Sequence, residues 1–315
     1  MASPRYKLLA GKGMNNTCSL LIPCYNSEVY LPRLWETVKA QTVPFDEIIC
    51  YDDGSEDNTV EVAQSLGAKV IVGNKNMGVS HARNQLVKMS NCEWIHFHDP
   101  DDLLHPEYLE KTKTKIDKNT DVVVCNVDWI DEQTRSLIIP WRYNNQEFQS
   151  NPLISAIANP IGGINGLYRK NKILNVNGFN ERYSCWEDAD LHVRLAASGA
   201  KFLVVEEVLA FSLRQSNSLS QNQYQCWCCR YSFLKQYATD FDVSINKVIA
   251  DQLEIVVRAF IELKDKNLAS ESLLLCQSLG GNPPKTKNKL LQALKLVVPA
   301  FWLIQLQSFI RRKKR

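Results

Sequence analysis

Four short apolar runs alternate with helical patterns between residues 18 and 98, and that alternation leaves few folds open. The runs cover 18–22, 47–51, 69–72 and 93–98. The segments between them, at about 29–41, 58–66 and 79–89, are helical in pattern, and in the first of them Leu31, Leu34, Trp35 and Val38 share one stripe. Strands separated by single helices join through right-handed crossovers, so the expected architecture is α/β around a mostly parallel sheet. Ligands of such sheets sit just past the carboxyl ends of the strands.

The fourth run points to that edge most sharply. Trp94-Ile95-His96-Phe97-His98 ends in Asp99-Pro100-Asp101-Asp102, three carboxylates within four positions. Crowded carboxylates raise one another's pKa unless a cation lies among them, and a divalent ion completed by phosphate oxygens would relieve the repulsion. A solvated acidic turn that caps the following helix is the competing reading. No G-x-G-x-x-G follows the first run, where Pro23-Cys24-Tyr25-Asn26 stands, and no G-x-x-x-x-G-K-S/T occurs. A dinucleotide oxidoreductase and a P-loop ATPase are therefore disfavoured, and a carboxylate-bound cation becomes the natural holder of a phosphate.

The rest of the chain adds candidate sites and boundaries. Asn159 to Gly166 places three glycines beside a strand-like stretch, which suggests close approach of backbone to a ligand or a plain tight turn. Residues 133–151 read as a hairpin or loop. Trp186-Glu187-Asp188-Ala189-Asp190 opens a helix that stops at Gly199, where acids also suit the helix dipole. From about 220 to 277 the pattern is helical, with Leu253, Val256, Val257, Phe260 and Ile261 as a stripe, and Gly280 to Pro284 breaks it. The ten cysteines are scattered through strand-like and helical segments and read as reduced packing residues, Cys226-Cys229 included, in a cytoplasmic compartment. A net charge of +3 gives no argument for nucleic acid. An interrupted apolar stretch at 290–310 runs into five basic residues, 311–315, and suits an interfacial segment on the inner, anionic membrane face better than a span; a packing helix with a solvated tail is the alternative.

Ile22 to Asn26, Ile48 to Asp57, Asn76 to Asn84, Asp99 to Asp102 and Trp186 to Leu191 together resemble the ordered motifs of glycosyltransferase family 2, across about residues 18–215. The resemblance implies a GT-A fold, a three-layer nucleotide-binding domain over 17–220. A mobile arm (1–16), a C-terminal helical extension (221–280) and an apolar, basic tail (281–315) would flank it. It implies inverting transfer of a sugar from a nucleotide-sugar, expected to be a UDP-sugar, to a glycan or lipid-linked acceptor in cell-surface synthesis. Matched position by position, Asp53 would bind the base beside Asp52, and Pro23 and Tyr25 would line the same pocket. Arg83 would face the nucleotide. Asp99 would reach the ribose or the metal shell, Asp101 would ligate Mn²⁺ or Mg²⁺, and Asp102 is as well read as a turn carboxylate. Asp188 would be the general base, with Trp186 and Glu187 on the acceptor side; Asp190 reads as a cap and His192 as packing. His98 and the proline within D-x-D depart from the commonest pattern. No Q-x-x-R-W follows, so single addition fits better than processive synthesis. A nucleotidyltransferase and an inactive, membrane-tethered glycan-binding protein are the competing readings.

Overall fold

The computed structural model describes residues 16–214, 222–286, 292, 294–295 and 298–312, with 311 and 312 known by backbone alone. The expected mobile arm falls outside these residues except at Asn16, and the basic end is outside them at 313–315.

The first half follows the expected alternation: β1 (Cys18–Cys24), α1 (Leu31–Lys39), β2 (Glu47–Asp52), α2 (Thr59–Ser65), β3 (Lys69–Val72), α3 (Val79–Met89) and β4 (Trp94–Phe97). A two-residue β5 (Leu103–Leu104) and α4 (Tyr108–Lys113) lead to β6 (Val122–Asp131), which turns back as β7 (Leu137–Trp141). Then come α5 (Asn145–Ser150), α6 (Pro152–Ala158), β8 (Gly166–Arg169), α7 (Lys170–Asn175), α8 (Glu187–Ala197) and β9 (Phe202–Arg214). The C-terminal helices are α9 (Gln223–Asp240), α10 (Asn246–Glu262), α11 (Lys266–Ser278) and α12 (Ala300–Arg312).

Among the described residues one sheet carries the order β3-β2-β1-β4-β8-β6-β9-β5, with β7 paired onto β6. The β3-β2-β1-β4 half is parallel throughout. β8 enters antiparallel between β4 and β6, and β6 and β9 run parallel again. With Cys24 opposite Asp52 in β2 and Leu21 opposite Phe97 in β4, the carboxyl ends of β1, β2 and β4 lie side by side.

Side chains alternate across a strand, so each face of the sheet builds its own core. Leu20, Ile22, Cys50 and Trp94 pack with the α1 stripe on one face. Leu21, Ile49, Ile95 and Phe97 pack on the other, in a core continuous with Phe233 of α9 and Leu253, Val256 and Phe260 of α10. The helical extension therefore closes one face of the sheet.

Candidate active site

Two turns at the ends of β1 and β2 are stitched together. The Asn26 backbone N–H donates to Ser55 Oγ at 2.8 Å, and Asn26 Oδ1 accepts from the Glu56 N–H at 2.9 Å. Gly54 has a φ of +78°, and a Cβ there would lie 2.8 Å from the Lys75 backbone, which explains a glycine between the acids and the serine. Asp53 is buried, and its carboxylate accepts from the backbone N–H groups of Met77 at 3.0 Å and Gly78 at 2.7 Å. It clamps the turn that opens α3. Asp52, also buried, accepts from the Ser55 N–H at 3.2 Å through Oδ2, while its Oδ1 has no hydrogen-bond partner. Pro23 is buried in β1, and Tyr25 beyond it is exposed.

Arg83 projects from α3 into the protein and is 3% exposed. Its Nη2 donates to Asp99 at 2.8 Å and its Nη1 to Glu187 at 2.7 Å. Burial works against the charge, but Asp99 and Glu187 outweigh it and hold the guanidinium protonated. Arg83, expected to face the nucleotide, is paired here with the two carboxylates. A buried cation takes the nearest counter-charges, and here those are carboxylates of the two acidic motifs. Gly163 allows the approach, since a Cβ there would meet Arg83 Nη2 at 2.9 Å. Gly162 and Gly166 similarly make room for Asn165, Trp141 and the Tyr168 ring. The glycine cluster thus serves close packing by side chains.

The four-residue acidic turn divides its labour. Asp99 keeps a partly exposed carboxylate beside Arg83. Asp101 is half-buried, and burial with the neighbouring Asp99 charge pushes it up to about 6. Arg33 of α1 donates to the Asp101 carbonyl at 2.9 Å and pairs with Glu132, holding the turn in place. Asp102 is buried and accepts from the Leu213 N–H of β9 at 2.8 Å, so it is a structural carboxylate. His98 is buried beneath, and burial lowers it to about 3, leaving it neutral. Its Nδ1 shares a hydrogen bond with His96 Nε2 at 3.2 Å, and His96 Nδ1 lies 2.8 Å from both the Gly166 carbonyl and the Tyr108 hydroxyl. The histidine pair puts a buried hydrogen-bonded chain where aliphatic packing is more usual, and His98 Nε2 at its end has no hydrogen-bond partner.

Trp186 caps α8 in the left-handed region, with a φ of +64°. Such a backbone is costly for a bulky side chain, and neighbours must hold it. Its ring centroid lies 6.1 Å from that of Trp227, and the Arg230 guanidinium carbon lies 5.0 Å away. Asp188, half-buried in the first turn of α8, is pushed up to about 7 by burial and by Glu187, with Arg83 pulling the other way. His192 supports the same turn: its Nδ1 donates to the Asp188 carbonyl at 2.6 Å and its Nε2 meets the Tyr168 hydroxyl at 2.8 Å. Asp190 pairs with Arg194 and accepts from the Tyr237 hydroxyl at 2.6 Å, which ties α8 to α9.

The structure thus brings Asp99, Arg83, Glu187 and the Asp188 turn together. Sequence reasoning missed Arg33, Glu132 and the Arg83–Glu187 pair, because partners 99 and 104 positions apart leave no local signal. Among the described residues, no group of three His, Cys, Asp or Glu side chains is arranged to hold a metal ion by itself.

With this geometry in view, comparison with known proteins gives a consistent class. Residues 19–175 match the model of "Glycosyl transferase family 2", and the chain carries a domain of that family. It is similar to an uncharacterized glycosyltransferase of Haemophilus influenzae, 28% identical over 184 residues, which are 56% of this chain and 61% of that protein. Its matches span about one third to three fifths of the length of the first curated relatives. Among solved structures it is similar to Staphylococcus aureus TarS 1-349 in complex with UDP-GlcNAc, with a TM-score of 0.58 and 16% identity, covering 87% of this chain and 95% of that one. It is also similar to the mannosyltransferase PcManGT of Pyrobaculum calidifontis in complex with GDP-Man and Mn²⁺, with a TM-score of 0.60 and 14% identity, covering 93% and 79%. The fold is of the GT-A type.

Proposed function

We propose that the protein is a metal-dependent, inverting glycosyltransferase that moves a sugar from a UDP-sugar to an acceptor hydroxyl. The observation that carries this reading is Arg83, whose two terminal nitrogens join Asp99 of the strand-end turn to Glu187 of the α8 turn. One buried cation thereby registers a donor half against an acceptor half.

On the donor side, Asp52 Oδ1 is the better acceptor for a base N–H, because the Asp53 carboxylate is already committed to the 77–78 backbone. A buried acceptor without a partner gains a full hydrogen bond when the base arrives. Pro23 and Tyr25 border this pocket. Asp101 and Asp99 are hard oxygen donors on one turn and fit Mn²⁺ or Mg²⁺, which one or two carboxylates hold together with substrate phosphates. The ion would offset charge on the departing nucleoside diphosphate. On the acceptor side, Asp188 takes the proton of the attacking hydroxyl, while Glu187 and Trp186 shape the acceptor pocket. A cell-surface glycan or lipid-linked acceptor is the class we favour.

The reading is tested by UDP release from a panel of UDP-sugars with and without Mn²⁺. Asp101→Ala is expected to weaken Mn²⁺-dependent UDP binding by about tenfold or more while metal-free binding stays unchanged, measured by calorimetry. Equal loss in both conditions would remove Asp101 from the metal shell.

The lipid side rests on α12. Among the described residues no helix is long and apolar enough to cross a membrane. Leu303 and Ile304 pack inward, whereas Trp302 (61% exposed), Leu306, Phe309 (55%) and Ile310 form one outward stripe, followed by Arg311 to Arg315 in sequence. A tryptophan-bearing apolar stripe with a basic end suits an anionic bilayer surface. Replacing both Trp302 and Phe309 by serine is expected to abolish most co-sedimentation with phosphatidylglycerol vesicles and spare UDP release. Unchanged vesicle binding would refute the docking surface.

A further inference from the structure

Cys185 and Cys226 lie far closer than packing requires. Their sulfurs are 2.8 Å apart, across 41 residues of chain, sharing a hydrogen bond. Cys185 is half-buried in the turn before Trp186, and Cys226 is on the first turn of α9. We propose that this pair is an oxidisable dithiol, and that closing it to a disulfide restrains the acceptor-side turn and lowers transfer.

Disulfide sulfurs sit about 2.04 Å apart, so closure needs the two sulfurs to approach by only about 0.8 Å. The Cys185 thiol beside it holds the Cys226 thiol below its ordinary range, which favours the thiolate that reacts. The Cys226 thiolate attacks one oxygen of a hydroperoxide such as hydrogen peroxide. The O–O bond breaks, and Cys226 becomes a sulfenic acid while the other oxygen leaves as water after taking a proton. Cys185 then attacks that sulfur, the S–O bond breaks, and the hydroxyl departs as a second water with the Cys185 proton. Two thiols lose two electrons and the peroxide is reduced to two waters.

The consequence follows from position. Residue 185 adjoins the left-handed Trp186, which is followed directly by Glu187 and Asp188. Closing the bond draws the turn about 0.8 Å toward α9 and holds it there, and a displacement of about 1 Å in a catalytic arrangement can cost about 10²-fold. The effect on transfer rests on the function proposed above; the cross-link does not.

The test uses the full chain, exposed to hydrogen peroxide, alkylated and mapped by proteolysis and mass spectrometry. The expected product is one peptide pair joined through 185 and 226, lighter by two hydrogens. UDP release should fall about tenfold or more and return with dithiothreitol, whereas Cys226→Ser should keep its activity through the same treatment. Cys185→Ser serves as the second insensitive variant if Cys226→Ser folds poorly, and Cys228→Ser should behave as wild type. A cross-link elsewhere, no cross-link, a disulfide that persists in reductant, or equal inhibition of the serine variants would overturn the proposal. Absence of UDP release from every donor before oxidation would instead sink the transferase reading, with the peptide map still deciding the dithiol.

Discussion

Asp188→Asn is expected to leave UDP affinity within about twofold of wild type while lowering kcat by about 10³-fold, since a positioned general base contributes roughly 10²–10⁴. Isothermal titration with UDP and a UDP-release assay check the two halves; matched losses in both would place Asp188 in donor binding. Its raised value of about 7 gives the pH dependence. A base works deprotonated, so kcat should climb as pH rises through about 7 and level off above it. Stability should move oppositely. An acid with a folded-state pKa above its unfolded value stabilises the fold at low pH and loses that contribution as pH rises through the folded value. The asparagine variant should therefore gain Tm over wild type at pH 8 but not at pH 4, a difference on the order of 1–2 kcal/mol once partial exposure is allowed for.

Arg83→Met is expected to be the most damaging single change to the fold around the site. It leaves Asp99 and Glu187 facing each other without the guanidinium that now binds both. Removing one partner of a buried ion pair costs about 3–5 kcal/mol, because the remaining charge is stranded. Thermal melts should show a Tm lowered by many degrees, and UDP release should vanish into background. Adding Glu187→Gln to Arg83→Met should recover part of the stability and none of the activity. Additive destabilisation would show instead that Arg83 acts through packing alone.

The parallel half of the sheet was legible because its signals are local. Short apolar runs, helical stripes and turn residues each fit within a window of about ten positions, and α3 lies at 79–89 as its spacing predicts. Elements whose length is set by partners were less legible. β6 and β9 extend to Asp131 and Arg214 because each supplies the other's ladder. Residues 133–151 proved to hold both a hairpin strand and a helix. In the site, the acidic motifs were visible as clusters of carboxylates. Their division into a free Asp52 oxygen, a committed Asp53 and a structural Asp102 was not, because backbone donors at 77, 78 and 213 decide it.

The core shared between the sheet and α9–α10 bears on how chains of this fold could diversify. Phe233, Leu253 and Phe260 belong to the same apolar cluster as Ile95 and Val204. Recombination that exchanged everything after residue 220 would split that cluster and expose its halves. A crossover near Gly280, beyond α11, keeps α9–α11 with the sheet but removes Phe301, which packs on that cluster, and the buried Leu303 and Ile304. The heritable module is thus the sheet with three C-terminal helices, and a segment exchanged from 281 onward would have to bring its own apolar residues to cover Val257 and Leu273.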